Sequence, residues 1–125
     1  MSNFYQEIGG KTTIERIVHH FYTHVKQDPI LSPLYPNDDW KGAEKRLSMF
    51  FEQFWGGPST YSEERGHPRL RMRHMPFKIN PAARDAWLKH MNAAIKAEQL
   101  PALYEEQFLD YVDRAAHAMV NTFED

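Results

Sequence analysis

Apolar residues recur at a period near 3.6 along four stretches of the chain, as they do in helices that bury one face. Over residues 11–27 they are Ile14, Ile17, Val18, Phe21 and Val25, with Tyr22 beside the stripe. Gly9 and Gly10 precede this segment, and Thr12 or Thr13 is placed to cap it. A second helix is expected from Trp40 to Trp55, with Ala43, Leu47, Phe50 and Phe54 on one face and an end at Gly56-Gly57-Pro58. A third runs from Pro81 to Glu98 behind the N-cap Asn80, carrying Trp87, Met91, Ala94 and Ile95. The fourth spans Leu103 to Asn121, with Phe108, Val112, Ala115 and Met119 inward. No stretch alternates as a strand does, so the expected class is all-α, in one domain over residues 1–125.

The connections differ in kind. Residues 28–39, DPILSPLYPNDD, hold three prolines and read as a loop with at most one turn of helix. Residues 58–80 show weak periodicity and many breakers, with one short helix expected from Pro68 to His74. A loop of that length in a small domain is uncommon unless it is functional or tied down.

Composition narrows the chemistry. A formal net charge of −2 argues against general nucleic-acid binding. The absence of cysteine excludes disulfides and thiolate-held metal, and it fits a reducing cytosol. No signal-like apolar run precedes Ile14 and none reaches transmembrane length, so a cytoplasmic protein without an integral membrane segment is expected. Aromatics at 14% and six methionines suit either a well-filled core or one shaped around something flat and apolar.

Histidine is the remaining metal ligand of interest. His20 and His24 have chelating i, i+4 spacing but lie off the apolar stripe, and His90 and His117 also lie off theirs, all four as surface residues. There is no HExxH, and the single ExxH spacing, Glu64 to His67, sits in the loop, which argues against zinc peptidases and carboxylate di-iron bundles. His74 is placed differently. Met75 precedes Pro76 and is biased out of the α region, so the short helix should end at His74. There the ring can donate Nδ1–H to a carbonyl near Leu70 and leave Nε2 free as a neutral donor atom. That suits a metal centre taking one protein ligand, of which haem iron is the main case. The alternative is a histidine that only complements the helix dipole. Arg71 and Arg73 beside it, with Arg46, Tyr61 and His67, read either as partners for carboxylates at a pocket rim or as a solvated basic loop.

The run GGPSTYSEERGHPRLRMRHMPF, residues 56–77, followed by the Trp87 helix, resembles group II truncated haemoglobins. The likeness extends to Gly9-Gly10, Phe21-Tyr22, the loop LSPLYPNDD and the VNTF stretch at 120–123. It implies a shortened globin fold, a two-over-two helical sandwich around haem b, with a long loop before the short helix of the proximal histidine. By that resemblance His74 is the iron ligand, and Tyr22, Tyr35 and Trp87 line the ligand side. Ala43 stands where many globins place a distal histidine or glutamine, and Leu47 stands one turn on. Access to the ligand side would then be controlled by neighbours such as Trp87 and Leu47. Leu47, Phe50 and Trp87 are expected against the cofactor, with Arg46, Tyr61 and Arg73 at its propionates and His67 at the rim at most. Tyrosine at position 35 is similar to the actinobacterial O-type subgroup.

The resemblance implies binding of O2, and of CO and NO, at a five-coordinate ferrous iron, with slow release. A second reading is a haem redox enzyme, an NO dioxygenase, nitrite reductase or peroxidase-like catalyst, which needs an electron-donating reductase. A third is a cofactor-free helical interaction module. Aromatics on the helices leave a homodimer open.

Overall fold

A computed structural model describes residues 3–35, 39–66 and 69–123, without the side chains at 70 and 71, and the described residues form seven α-helices and one 3₁₀ turn. Among the described residues there is no strand. The helices are α1 Phe4–Glu7, α2 Gly10–Val25, α3 Trp40–Phe54, α4 Thr60–Arg65, α5 Leu70–His74, α6 Pro81–Ala97 and α7 Ala102–Met119; the 3₁₀ turn is Ser32–Leu34. The four long helices form two pairs, α2 with α3 and α6 with α7, and the contact of α2 with α6 joins them. Ile14, Ile17, Val18, Phe21 and Val25 of α2 meet Met91, Ala94 and Ile95 of α6 and Phe108 and Val112 of α7 in one core, each fully buried. Each large side chain so buried contributes roughly 1.5–3 kcal/mol. Among the described residues no helix is long and apolar enough to cross a membrane.

The four expected long helices appear within two or three residues of their predicted ends. The start of α2 differs. Gly9 at φ 108° is its N-cap, and Thr13 is buried inside the first turn. A Cβ on Gly9 would lie 2.2 Å from Thr13 Oγ1, so this left-handed cap also needs the missing side chain. Asn80 does cap α6, accepting from the Ala83 N–H at 2.8 Å, with Pro81 behind it.

Two short helices carry too few residues to show a period. Asn3 caps α1 and also donates to the Gly56 carbonyl at 2.9 Å, while Phe4 stacks on Trp55 with ring centroids 3.8 Å apart. This seats α1 on the end of α3. Gln53 of α3 exchanges two bonds with Ser62 of α4, at 2.8 and 2.9 Å, and so folds residues 60–65 back onto α3. The last short helix, α5, ends at His74 as expected, but Met75 stays in the right-handed helical region despite Pro76. Bonds from Met75 N to Met72 O and from Phe77 N to His74 O offset the pre-proline preference. The helix stops because Pro76 has no N–H to continue it. Its expected start at Pro68 lies outside the described residues.

His90 departs from its expected surface position. Its side chain is 14% exposed and bonds through Nε2 to the Asp28 carboxylate at 2.6 Å, while its ring lies parallel to that of His24 at 6.0 Å. His117 is exposed, its Nδ1 against the Asp113 carbonyl at 2.8 Å. His20 and His24 have ring centroids 5.0 Å apart. Among the described residues no group of three or more such ligands is disposed to hold a metal ion.

Candidate functional site

Tyr22 follows Phe21 on the inner face of α2 and is 5% exposed. Its ring meets Phe21, Tyr35 and Trp40 at centroid distances of 4.9, 5.6 and 6.2 Å. Tyr35 comes directly after the 3₁₀ turn, its N–H bonded to Ser32 O at 3.2 Å, and its ring rests against Trp40 at 5.1 Å. Trp87 of α6 meets the edge of Phe21 at 5.3 Å. Elements distant in sequence thus bring Tyr22, Tyr35 and Trp87 together around Phe21 and Trp40. Trp40 enters here as a wall, a role that its place at the start of a helix did not announce.

The Tyr22 and Tyr35 rings stand nearly perpendicular to each other, at 88°. Burial foremost, and then the neighbouring Tyr35, push the Tyr22 pKa well above the usual tyrosine range. Burial also raises Tyr35, with the neighbouring Tyr22 acting the other way there. Both stay protonated at neutral pH, so each keeps an O–H to donate. Ala43, one turn beyond Trp40, is buried, and Leu47 one turn further is half-buried. This side of the site is therefore apolar except for hydroxyl and indole donors.

Phe50 is buried on α3, edge-on to Tyr61 of α4 at 5.7 Å. Tyr61 is itself buried, and the guanidinium groups of Arg65 and Arg73 lie over its ring at 6.0 and 5.8 Å. Arg73 also donates to the Arg65 carbonyl at 2.7 Å, which ties α5 to the end of α4. Arg46 pairs with Asp39, the N-cap of α3, at 3.4 Å. The structure thus brings Phe50, Tyr61 and Arg73 into one contact chain, while Arg46, one turn before Phe50 on α3, is paired with Asp39 at the start of that helix. His67 and the Arg71 side chain lie outside the description.

His74 is half-buried at the exit of α5. Its carbonyl accepts from Phe77 N at 3.0 Å and from Asn121 Nδ2 at 3.2 Å. Asn121 follows α7, where Val120 leaves the helix in extended conformation. Sequence reading passed over Asn121 as an individual residue. The signal available was a polar amide directly after an amphipathic helix.

Several apolar side chains around these residues are incompletely covered by protein. Leu47, Trp87 and Met119 lie on stripes expected to face inward, yet each is only half-buried, and Phe54 is 46% exposed. Met72 and Met75, flanking His74, are 58% and 66% exposed. Such surface suits a flat apolar partner. One imidazole, nearby arginines and a group of neutral hydrogen-bond donors complete a set that fits haem.

Comparison with known proteins points the same way. Residues 3–121 match the family model described as bacterial-like globin. The group 2 truncated hemoglobin YjbI of Bacillus subtilis is 38% identical over 115 residues, which span 92% of this chain and 86% of that protein. A thermostable hemoglobin from the actinobacterium Thermobifida fusca is 51% identical and superposes with a TM-score of 0.96, over 98% of this chain and 100% of that one. A structure described as truncated oxygen-avid haemoglobin, from Bacillus subtilis, is 35% identical with a TM-score of 0.89, over 96% and 100% of the two chains.

Proposed function

The chain belongs to the bacterial-like globin family, with the two-over-two fold of truncated haemoglobins, and from that premise we propose that it holds haem b through His74 and binds O2, and also CO and NO, with slow release. Haem supplies an iron that takes one imidazole and, when ferrous, one diatomic gas. Everything else rests on side chains of this chain. His74 Nε2 is the iron ligand. Leu47, Phe50 and Trp87 shield the macrocycle from water, while Arg46, Tyr61 and Arg73 serve its carboxylates.

The observation that carries this reading is the gathering of Tyr22, Tyr35 and Trp87 around Phe21 and Trp40. Three protons are on offer to a gas ligand, the Tyr22 and Tyr35 O–H groups and the Trp87 indole N–H. A hydrogen bond to a partly charged acceptor in a dry site is worth on the order of 1–3 kcal/mol, roughly tenfold or more in release rate. Such donors suit oxygen retention better than rapid exchange. Ala43 offers no donor of its own and leaves passage to Leu47 and Trp87.

A visible spectrum tests the reading. We expect a Soret band that shifts with CO, and its loss in His74→Gly with recovery on adding imidazole. A chain that takes up no haem would leave only the cofactor-free interaction module. A second reading, redox turnover of NO, nitrite or peroxide, is favoured by the oxidisable cluster of Tyr22, Tyr35, Trp40 and Trp87. With Ala43 at the distal position there is no imidazole to act as general base for peroxide. Turnover would draw on an external reductase, and steady-state assays with and without one separate enzyme from binder. A cytoplasmic location fits the cysteine-free sequence, and gel filtration of the haem-loaded protein decides between monomer and homodimer.

A further inference from the structure

We propose that Asn121 is a positioning residue for His74, fixing the iron ligand from outside its own helix; this rests on the reading of His74 as that ligand. A five-residue helix cannot hold itself together in water, because nucleation costs more than its few internal bonds return. The direction in which α5 presents His74 must therefore come from elsewhere in the fold.

Asn121 supplies it with a complete set of bonds. Its Nδ2 donates to the carbonyl of His74 at 3.2 Å and to that of Phe77 at 2.9 Å. Its Oδ1 accepts from the Ile79 N–H and from Thr122 Oγ1, both at 2.9 Å. The backbone N–H groups of Asn121 and Thr122 both donate to Ile79 O, at 2.9 and 3.1 Å. A primary amide has two protons to give and two lone pairs to fill, and all four are used. The network therefore fixes which end of the amide is nitrogen. It also explains the residue type. Aspartate has the shape but cannot donate to the two carbonyls, and glutamine has the donors on a longer stem.

The bonds fall where they matter for the ligand. His74 ends α5, and its carbonyl has both lone pairs taken, one by Phe77 N and one by Asn121. The segment from His74 through Met75, Pro76 and Phe77 to Ile79 is thus held at both ends by one side chain. That fixes the Cα–Cβ direction of His74 relative to α7. α7 is anchored in the core through Phe108 and Val112.

The test uses the haem-loaded protein and three variants, Asn121→Ser, Asn121→Ala and Asn121→Asp. In the ferrous ligand-free state, resonance Raman reads the iron–histidine stretching band, and transfer to apomyoglobin reads haem loss. Asn121→Ala and Asn121→Asp should shift or broaden that band and speed haem transfer about tenfold, the scale of losing one to two neutral hydrogen bonds. Asn121→Asp should be affected at least as strongly, because its carboxylate faces two carbonyls. Asn121→Ser, able to donate once, should fall between them and wild type and serves if the others fold poorly. Variants that lower thermal stability yet keep the wild-type band and transfer rate would overturn the proposal and leave Asn121 as a loop anchor. His74→Gly separates this failure from that of the parent reading. If the band survives there without imidazole, His74 is not the ligand and both ideas fall.

Discussion

At the scale of single residues, the gathering of Tyr22, Tyr35 and Trp87 sets which substitutions matter most. On the proposed reading, Tyr22→Phe, Tyr35→Phe and Trp87→Phe each remove one proton offered to the ligand and should speed O2 release roughly tenfold. Stopped-flow release rates equal to wild type in all three variants would reject the donor assignment. Residue types were legible in the sequence here, and their gathering was not. Tyr22 and Tyr35 sit on a helix and after a turn, and neither period nor spacing relates the two rings. Arg46 shows the same limit, since nothing in its local pattern announced the Asp39 carboxylate 3.4 Å away.

At the scale of elements, the caps divide sharply between those written in side chains and those written in backbone. Asn80 before Pro81 is a local signal, and the structure uses it as expected. Asn80→Ala should cost about 1 kcal/mol in denaturant unfolding. Gly9 is a cap by conformation alone, at φ 108° with Thr13 Oγ1 where a Cβ would stand. Gly9→Ala should therefore destabilise more than Asn80→Ala, by up to about 3 kcal/mol; a smaller loss would mean that the α2 entry relaxes freely. Amphipathic stripes located the four long helices because burial of one face dominates their stability. The short helices α1 and α4 escaped notice because their support comes from outside them, from the distant Trp55 and Gly56 for α1 and from Gln53 on the preceding helix for α4. The half-covered stripe residues Leu47, Trp87 and Met119 show that a stripe marks what must avoid water, not whether protein does the covering.

At the scale of the molecule, two long-range ties join elements that the four-helix core does not by itself align. One is the hydrogen bond between His90 Nε2 and the Asp28 carboxylate, between the loop after α2 and the middle of α6. The His90 bond foremost, with the N–H groups of Ile30 and Leu31, holds the Asp28 carboxyl below its ordinary range against the opposing effect of burial. A lowered carboxyl contributes its stability in full above its unfolded value, about pH 3.9, and loses it as pH falls through the lower folded value. Asp28→Asn should accordingly lose less stability than wild type between pH 6 and pH 3. Equal losses, read as denaturant midpoints at the two pH values, would remove Asp28 from the acid response. The other tie is Asn121 with His74, across 47 residues of chain. Opening it breaks a few hydrogen bonds, and none of the residues they join is among the fully buried side chains of α2, α6 and α7. Stability is not uniform across a fold, and segments held this way exchange with open forms well before global unfolding. On the proposal that His74 holds haem, haem loss and unfolding should then be separate events with separate barriers, so that a chain stripped of its cofactor keeps its shape.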